Sequence, residues 1–303
     1  MQLASLRRPL AADAAGVADL VVAVESSLYG RGGFSRADLE DEWSDVDLGR
    51  DAWVVAGGER ILGYGVLRRE GELCDAEGYV HPDALGRGIG KLIATRLEQD
   101  AAARGARGVR NAVLEADSAA RSLVESLGYA AVRVFREMRI ELRSAPAAPE
   151  WPRGLRVVPF DLEQDAREFH AAHQEAFADH WAYTPRDFES WSKVHFGSER
   201  FDPALWCVVR AGDEIAAGTV CAGDTYGGGF VHALFTRRPW RRQGVGAALL
   251  NDAFGRFWAR GERSVGLGVD SASATGAFRL YERAGMTPAL GWVVYEKKLG
   301  DAA

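Results

Sequence analysis

Short runs in which hydrophobic and polar residues alternate are separated along this chain by longer stretches with helical spacing. Residues 230–236 alternate, so we expect a strand with two different faces. The predicted faces are Phe230, His232, Leu234 and Thr236 on one side, and Val231, Ala233 and Phe235 on the other. Next, Leu249, Leu250, Ala253, Phe254, Phe257 and Trp258 recur on one face of a predicted helix. This succession predicts an α/β fold.

The same pattern gives the order of elements in the N-terminal half. The predicted strands are 6–10, 53–63 with a Gly-Gly turn inside it, 75–80 and 109–114; the predicted helices are 14–28, 34–43, 86–105 and 118–127. Residues 144–152 hold three prolines and have no periodicity. We predict that this segment is a linker, because proline removes a hydrogen-bond donor and disfavours helix.

After the linker the pattern starts again. Residues 206–218 repeat the hairpin of 53–63, the glycines at 244 and 246 repeat those at 88 and 90, and 280–286 repeats 123–129. The offsets are 153, 156 and 157 residues. Landmarks in one order with nearly constant offsets indicate two copies of one unit. We therefore predict one domain over 1–143 and a second over 153–303.

The composition is that of a soluble globular protein. The chain has 303 residues, of which 47% are hydrophobic and 26% charged, and its net charge of −6 argues against a nucleic-acid partner. No apolar run approaches the ~20 residues of a membrane span, and the first residues lack the apolar core of a signal peptide. Three cysteines without C-x-x-C spacing indicate reduced thiols and no metal site. We expect a cytoplasmic protein without a membrane partner.

The most informative turn is 241–246, Arg-Arg-Gln-Gly-Val-Gly, between the predicted strand and the predicted helix. Glycine allows a close approach to the backbone, and the first amides of a helix attract anions. Arginines at 237, 238, 241 and 242 crowd the same turn, although the chain is acidic overall. The pattern indicates a site for one anionic ligand, and the alternative is an ordinary tight turn.

With these motifs in view, each half resembles a GNAT N-acetyltransferase domain. That family carries Gln/Arg-x-x-Gly-x-Gly/Ala at a strand-to-helix turn, and here Arg241, Gly244 and Gly246 match it. The resemblance implies two tandem α/β (α+β) domains, each with a mixed, twisted sheet flanked by helices and splayed to admit acetyl-CoA. It also implies acetyl-CoA contacts by Phe235, Thr236, Arg241, Arg242, Gln243, Gly244, Val245, Gly246, Ala247 and Ser273, the last in place of the family's asparagine.

The second family mark is a tyrosine four residues before the glycine that ends the next helix. Tyr281 matches it, and a phenol with a pKa near 10 can protonate the departing thiolate. A core aromatic residue is the alternative for Tyr281. The N-terminal half has Leu85 and Val124 at the two marked positions, so we expect it not to catalyse. Whether its Gly88 turn retains acetyl-CoA is left open.

The acceptor side is less well defined by the sequence. His232 and His180 are the candidate bases for removing a proton from an amine, and a packed, hydrogen-bonded histidine is the alternative for His232. Asp179, His180, Trp181 and Tyr183 are the candidate acceptor-binding residues, although Asp179 is also a possible helix cap. We expect an acetyl-CoA-dependent N-acetyltransferase that transfers by direct attack on a small-molecule amine. The alternatives are a non-enzymatic acetyl-CoA-binding sensor or scaffold and a mycothiol-synthase-like acetyltransferase.

Overall fold

The structure is a computed structural model that describes residues 5–30, 32–198, 200–273 and 276–300. The chain divides into two compact units. The first is formed by residues 1–135 together with 290–303, and the second by residues 136–289. The units therefore do not follow the boundaries predicted from the repeat, since the end of the chain belongs to the first unit.

The elements follow one another in the predicted order, with two additional long strands. The first half of the chain contains β1 (Ser5–Arg7), α1 (Ala14–Tyr29), α2 (Arg36–Trp43), α3 (Leu48–Asp51), β2 (Ala52–Gly57), β3 (Arg60–Glu70), β4 (Leu73–Val80), α4 (Ile89–Ala103), β5 (Gly108–Leu114), α5 (Ser118–Ser126) and β6 (Ala130–Glu141). The second half contains β7 (Leu155–Pro159), α6 (Leu162–Phe177), α7 (Phe188–Phe196), β8 (Cys207–Ala211), β9 (Glu214–Thr225), β10 (Gly228–Thr236), α8 (Val245–Ala259), β11 (Ser264–Asp270), α9 (Ala277–Arg283) and β12 (Thr287–Lys298).

In the first unit the strand order is β1-β2-β3-β4-β5-β12. All neighbours are antiparallel except β4 and β5, which run parallel. The parallel pair is joined from Leu73 with Gly108 to Ala76 with Asn111, while the strands continue to Val80 and Leu114. The ends of β4 and β5 therefore diverge, which is the splay that the resemblance implies.

In the second unit the order β7-β8-β9-β10-β11-β6 is the same arrangement. Here β10 and β11 are the parallel pair, joined from Gly229 with Val265 to Val231 with Leu267. Beyond that point β10 continues to Thr236 and β11 to Asp270. Both copies of the repeat thus form a mixed sheet with one splayed pair, and the predicted fold class is confirmed.

The strand that closes each sheet comes from the other half of the sequence. Residues Trp292–Lys298 of β12 pair with Leu114–Gly108 of β5, which places the end of the chain in the first unit. The segment 136–141 of β6 lies beside β11 in the second unit, where Arg139 Nη1 donates to Ser264 Oγ at 3.2 Å. The sequence analysis placed neither β6 nor β12.

The core of the second unit is aromatic. Phe160, Phe169, Trp191, Trp206 and Phe235 pack under the sheet, and Trp191 and Trp206 are 2% and 1% exposed. Truncating one such ring to alanine costs about 3–5 kcal/mol. This core fixes β10 against α6 and α7, and so positions the splayed strand. Among the described residues, no helix has the length and apolarity that a bilayer crossing needs.

Candidate functional site

The turn before α8 has the backbone geometry of an anion site. Arg242 and Gly244 both have left-handed backbones, with φ of 60° and 87°. Gly246 differs from them, because it has space that a side chain would fill: a Cβ there would approach Leu280 Cδ2 to 3.1 Å. Within the described residues, the amides from 242 to 246 donate no hydrogen bond. These free N–H groups and the start of a 15-residue helix together attract an anion such as a pyrophosphate.

Three of the four arginines at this turn are already paired with carboxylates. Arg237 contacts Glu175 and Glu214 at 2.8 and 3.4 Å, and Arg238 lies 3.6 Å from Asp179. Arg241 also pairs with Asp179. Of the four, only Arg242 makes no side-chain bond to a described residue, and it is exposed. The predicted basic cluster therefore reduces to one available arginine beside the free amides.

Arg241 joins the turn to the end of α6. Its Nε donates to the carbonyl of Thr236 at 3.0 Å, and its Nη2 donates to the carbonyl of Ala176 at 2.8 Å. Its Nη1 donates to Asp179 Oδ2 at 2.7 Å. Arg241 beside Asp179 lowers the pKa of that carboxyl group. Asp179, predicted as an acceptor-binding residue, thus holds an arginine of the cofactor turn and caps no helix.

A β-bulge interrupts β10 at His232. Val231 opposes Cys221 and Ala233 opposes Val220, so His232 has no opposing residue on β9. The burial along the strand still alternates: Val231, Ala233 and Phe235 are buried, whereas Phe230, Leu234 and Thr236 are partly exposed and His232 is exposed. On the buried side, Phe235 packs on Phe169 of α6.

The bulge lies where the strands separate. Pairing with β11 ends at Val231, so the β11-facing backbone edge of 232–236 is open to a ligand. An extended chain with amide groups can pair with such an edge as an added strand. Phe235 and Thr236 belong to this part of β10, and Ala247 lies in the first turn of α8. Ser273 follows β11, where its amide donates to the carbonyl of Asp270 at 3.0 Å.

Tyr281 lies in α9, the helix that follows β11. Its side chain is 7% exposed and belongs to the core cluster that includes Val269 of β11 and Leu250 of α8. Burial raises the pKa of Tyr281 to about 12, so the phenol stays protonated at neutral pH. Its hydroxyl makes no hydrogen bond to a described residue. The phenol of Tyr281 is therefore able to donate a proton.

The other predicted acceptor residues lie in the segment between α6 and α7. The ring of His180 lies 4.4 Å from that of Phe177, and burial lowers the pKa of His180, although the nearby Asp179 acts in the opposite direction. Tyr183 donates to Gln174 Oε1, which also accepts from the amide of Arg186 at 3.2 Å. Trp181 is half-buried. These contacts hold the segment against α6, on the side of β10 where Phe235 lies.

The sequence analysis did not identify two further histidines on the side of β10 where α6 and α7 pack. His173 of α6 and His195 of α7 have ring centroids 6.3 Å apart, with Trp191 4.6 Å from His195. Burial lowers the pKa of His173 to about 4 and that of His195 to about 3, so both rings are neutral near pH 7. The nearby rings of His173 and His232 lower the pKa of His195 further. A possible signal was the placement of five of the six histidines in the second half of the sequence.

The corresponding turn of the first unit has a similar backbone but different surroundings. Gly86 and Gly88 have φ of 73° and 78°, and Leu85 is 53% exposed where the other turn has Arg241. The pairing of β3 with β4 has no bulge, in contrast to β9 with β10. Within the described residues, no group of three or more histidine, cysteine, aspartate or glutamate side chains is placed to hold a metal ion.

Comparison with known families finds the same type of domain in both halves. Residues 163–286 match the acetyltransferase (GNAT) family, and residues 49–131 match an acetyltransferase (GNAT) domain. Each match includes the glycine turn and the splayed strands of its half. The match to the second half also reaches Tyr281.

Curated relatives and solved structures agree with these matches. The mycothiol acetyltransferase of Streptomyces scabiei (strain 87.22) is 31% identical, over 81% of this chain and 77% of the relative. That of Geodermatophilus obscurus is 27% identical, over 91% and 92%. The crystal structure of a GCN5-related N-acetyltransferase from Sphaerobacter thermophilus is 33% identical, covers 97% of this chain and 95% of that one, and has a TM-score of 0.85. A tandem GNAT protein of the clavulanic acid pathway, 15% identical over 99% and 100%, shares the fold with a TM-score of 0.77.

Proposed function

This chain belongs to the acetyltransferase (GNAT) family, and from that premise we propose that only its second unit transfers acetyl groups. Acetyl-CoA is the co-substrate of the family. The free amides of 242–246 and the exposed Arg242 hold the pyrophosphate. The open edge of β10 at Phe235 and Thr236 binds the pantetheine. Tyr281 gives its proton to the departing thiolate.

The single observation that carries this proposal is the bulge at His232, beside the point where β10 and β11 separate. A bulge re-aims one side chain, and bulges are frequent next to active sites. The bulged histidine lies in the strand whose open edge would bind the thioester arm, and it is exposed. We assign to it the removal of a proton from the attacking amine. Direct attack in a ternary complex then needs no covalent enzyme intermediate.

The acceptor is a small-molecule amine that binds on the side of α6 and α7. The wall there consists of aromatic rings and of two histidines that stay uncharged, while Asp179 is already bound by Arg241. Such a wall suits an acceptor with polar, uncharged groups around its amine. The printed names of the relatives support a mycothiol-related acceptor as the first one to test. Cytoplasmic location is a further part of the proposal.

The test is acceptor-dependent release of free CoA thiol from acetyl-CoA with a panel of amines that includes amino sugars. The three cysteines Cys74, Cys207 and Cys221 are buried, so the background from a thiol reagent is low. We expect Tyr281→Phe to lower kcat by about 10²-fold or more with little change in stability, since its hydroxyl has no partner. Clear acetyl-CoA binding without acceptor-dependent release would instead favour a sensor or scaffold.

A matched pair of glycine substitutions assigns the unit. Gly244 and Gly88 have similar positive φ, and a Cβ on either meets nothing within 4 Å, so alanine introduces the same backbone strain in each unit. Gly244→Ala is expected to raise the KM for acetyl-CoA, whereas Gly88→Ala leaves turnover unchanged. Loss of turnover in Gly88→Ala with full activity in Tyr281→Phe would place catalysis in the first unit and refute the proposal.

A further inference from the structure

The first unit contains a cavity of about 300 Å³ between its splayed strands. Its walls come from the ends of β4 and β5, from α4 and from α5, and Val24 of α1 also lines it. Most of the lining is aliphatic, including Val80, Ile93, Val113 and Leu123. The free backbone amides of Gly86–Gly90 lie at the same cavity. It therefore offers an anion-binding turn and an apolar interior.

Two of the side chains that line this cavity are smaller than their counterparts in the second unit. Ala94 of α4 and Val124 of α5 line the cavity. By the repeat, their counterparts in the second unit are Leu250 and Tyr281, which are 0% and 7% exposed and fill the core there. The larger pair limits the space beside a bound thioester in the second unit. The smaller pair leaves room for additional methylene groups in the first.

Asn111 gives the cavity one specific polar group. It lies at the last paired position of β5, is 7% exposed, and lines the cavity. Its side-chain amide makes no hydrogen bond to a described residue. The amide is therefore available to a ligand that enters the cavity. The repeat places Leu267 at this position of the second unit, where it is likewise the last paired residue of its strand, so the polar group belongs to the first unit alone.

We propose that this cleft is a separate binding site for a coenzyme A thioester whose acyl group is longer than acetyl. The turn amides hold the pyrophosphate, Asn111 donates to the thioester carbonyl, and the acyl chain lies between Ala94 and Val124. The bound thioester is a ligand and is not transferred, since valine stands where the second unit has its phenol. This site is independent of the function proposed for the second unit.

The experiment measures binding of CoA, acetyl-CoA and butyryl-CoA to the full-length protein by calorimetry, with the bound number counted by native mass spectrometry. Two extra methylene groups, if buried, favour butyryl-CoA over acetyl-CoA by about tenfold. The double variant Ala94→Leu/Val124→Tyr installs the residues of the second unit and is expected to reduce this preference to about twofold. Its acetyl-transfer rate reports that the protein is folded.

Asn111→Leu provides the second arm. We expect this change to weaken the binding of both thioesters by about tenfold. The binding of free CoA should be unchanged, because free CoA has no thioester carbonyl. If Asn111 had only a structural role, its replacement would instead lower the melting temperature and leave the ratio of thioester affinity to CoA affinity unaltered. Gly88→Ala should weaken butyryl-CoA binding, and Gly244→Ala should not. An unchanged butyryl preference in the double variant, or no binding in the first unit, would overturn the inference, whatever the activity of the second unit.

Discussion

Replacing Arg241 and Asp179 singly and together tests whether Arg241 positions the cofactor turn or binds the cofactor itself. The guanidinium group bonds two backbone carbonyls and one carboxylate. Both side chains are partly exposed, at 26% and 32%, so solvent screens the pair and the expected coupling is about 0.5–1 kcal/mol. Arg241→Leu also leaves the carbonyls of Ala176 and Thr236 without their donor, for a total cost of about 1–2 kcal/mol.

The assay is the KM for acetyl-CoA from thiol release at a fixed amine concentration, together with the melting temperature. If Arg241 positions the turn, both single changes raise the KM, and Asp179→Asn and Arg241→Leu in one chain cost less than the sum of the two. The loss for Arg241→Leu corresponds to a melting temperature lower by about 2–6 °C. If Arg241 binds the pyrophosphate directly, Asp179→Asn frees it and lowers the KM, which would refute the positioning role.

Arg242→Gly is the matched control for these variants. Arg242 is exposed and has a φ of 60°, which strains a non-glycine residue, whereas the equivalent Gly86 has no such cost. Glycine removes both the charge and the strain. We therefore expect a higher KM for acetyl-CoA without a loss of melting temperature. A fall in melting temperature as large as that of Arg241→Leu would show that the assay does not separate the loss of a binding charge from the loss of structural contacts at the turn.

Two further predictions follow from the bulge and from the exchanged strand. His232→Ala should remove the acidic limb of the pH dependence of kcat/KM. His195→Asn should leave that limb in place above pH 5, because burial lowers the pKa of His195 to about 3 and its ring is already neutral. An equal effect of both changes would contradict the assignment of His232 as the base. Deletion of 290–303 removes Val293 and Tyr295 from the core of the first unit, so hydrogen exchange should rise in β2–β5 far more than in β8–β11, and equal exchange in both would count against the division.

Most of the order of elements was predictable because it depends on local patterns. The hairpin of β2 and β3, the glycine turns before α4 and α8 and the ends of the helices all have signals within a few residues. The duplication added long-range information, since each half supported the reading of the other. This is why the fold class, the family and the use of acetyl-CoA follow from the sequence and are confirmed.

The pairing partners of β6 and β12 were not predictable in the same way. Strand pairing is non-local, and a repeat suggests that each half closes its own sheet. In the structure, Val293 and Tyr295 at the end of the chain pack in the first unit, while Met138 of β6 packs in the second. The alternation of hydrophobic and polar residues in β6 and β12 does not indicate which parallel pair each strand adjoins. Exchange between nearly equal copies changes few local contacts, so the sequence pattern is the same with or without it.

The bulge at His232 was not predictable from the sequence. It is one extra residue in β10 relative to β9, and a bulge has no reliable signature when no glycine marks it. The role of Arg241 was also hidden, because its partner Asp179 lies 62 residues earlier in the chain. Both features require knowledge of which elements pack together.

The two units differ at the splay both in the phenol and in the width of the pocket, and the same residues determine both differences. In the second unit Tyr281 and Leu250 are buried in the core, and we propose that they place a proton donor at the splay and leave little room for a longer acyl chain. In the first unit Ala94 and Val124 leave a cavity and remove the donor together. On these two proposals, the phenol and the wider pocket belong to different clefts. Duplication would then allow the chain to keep both, with acetyl transfer in one copy and binding of a larger thioester in the other.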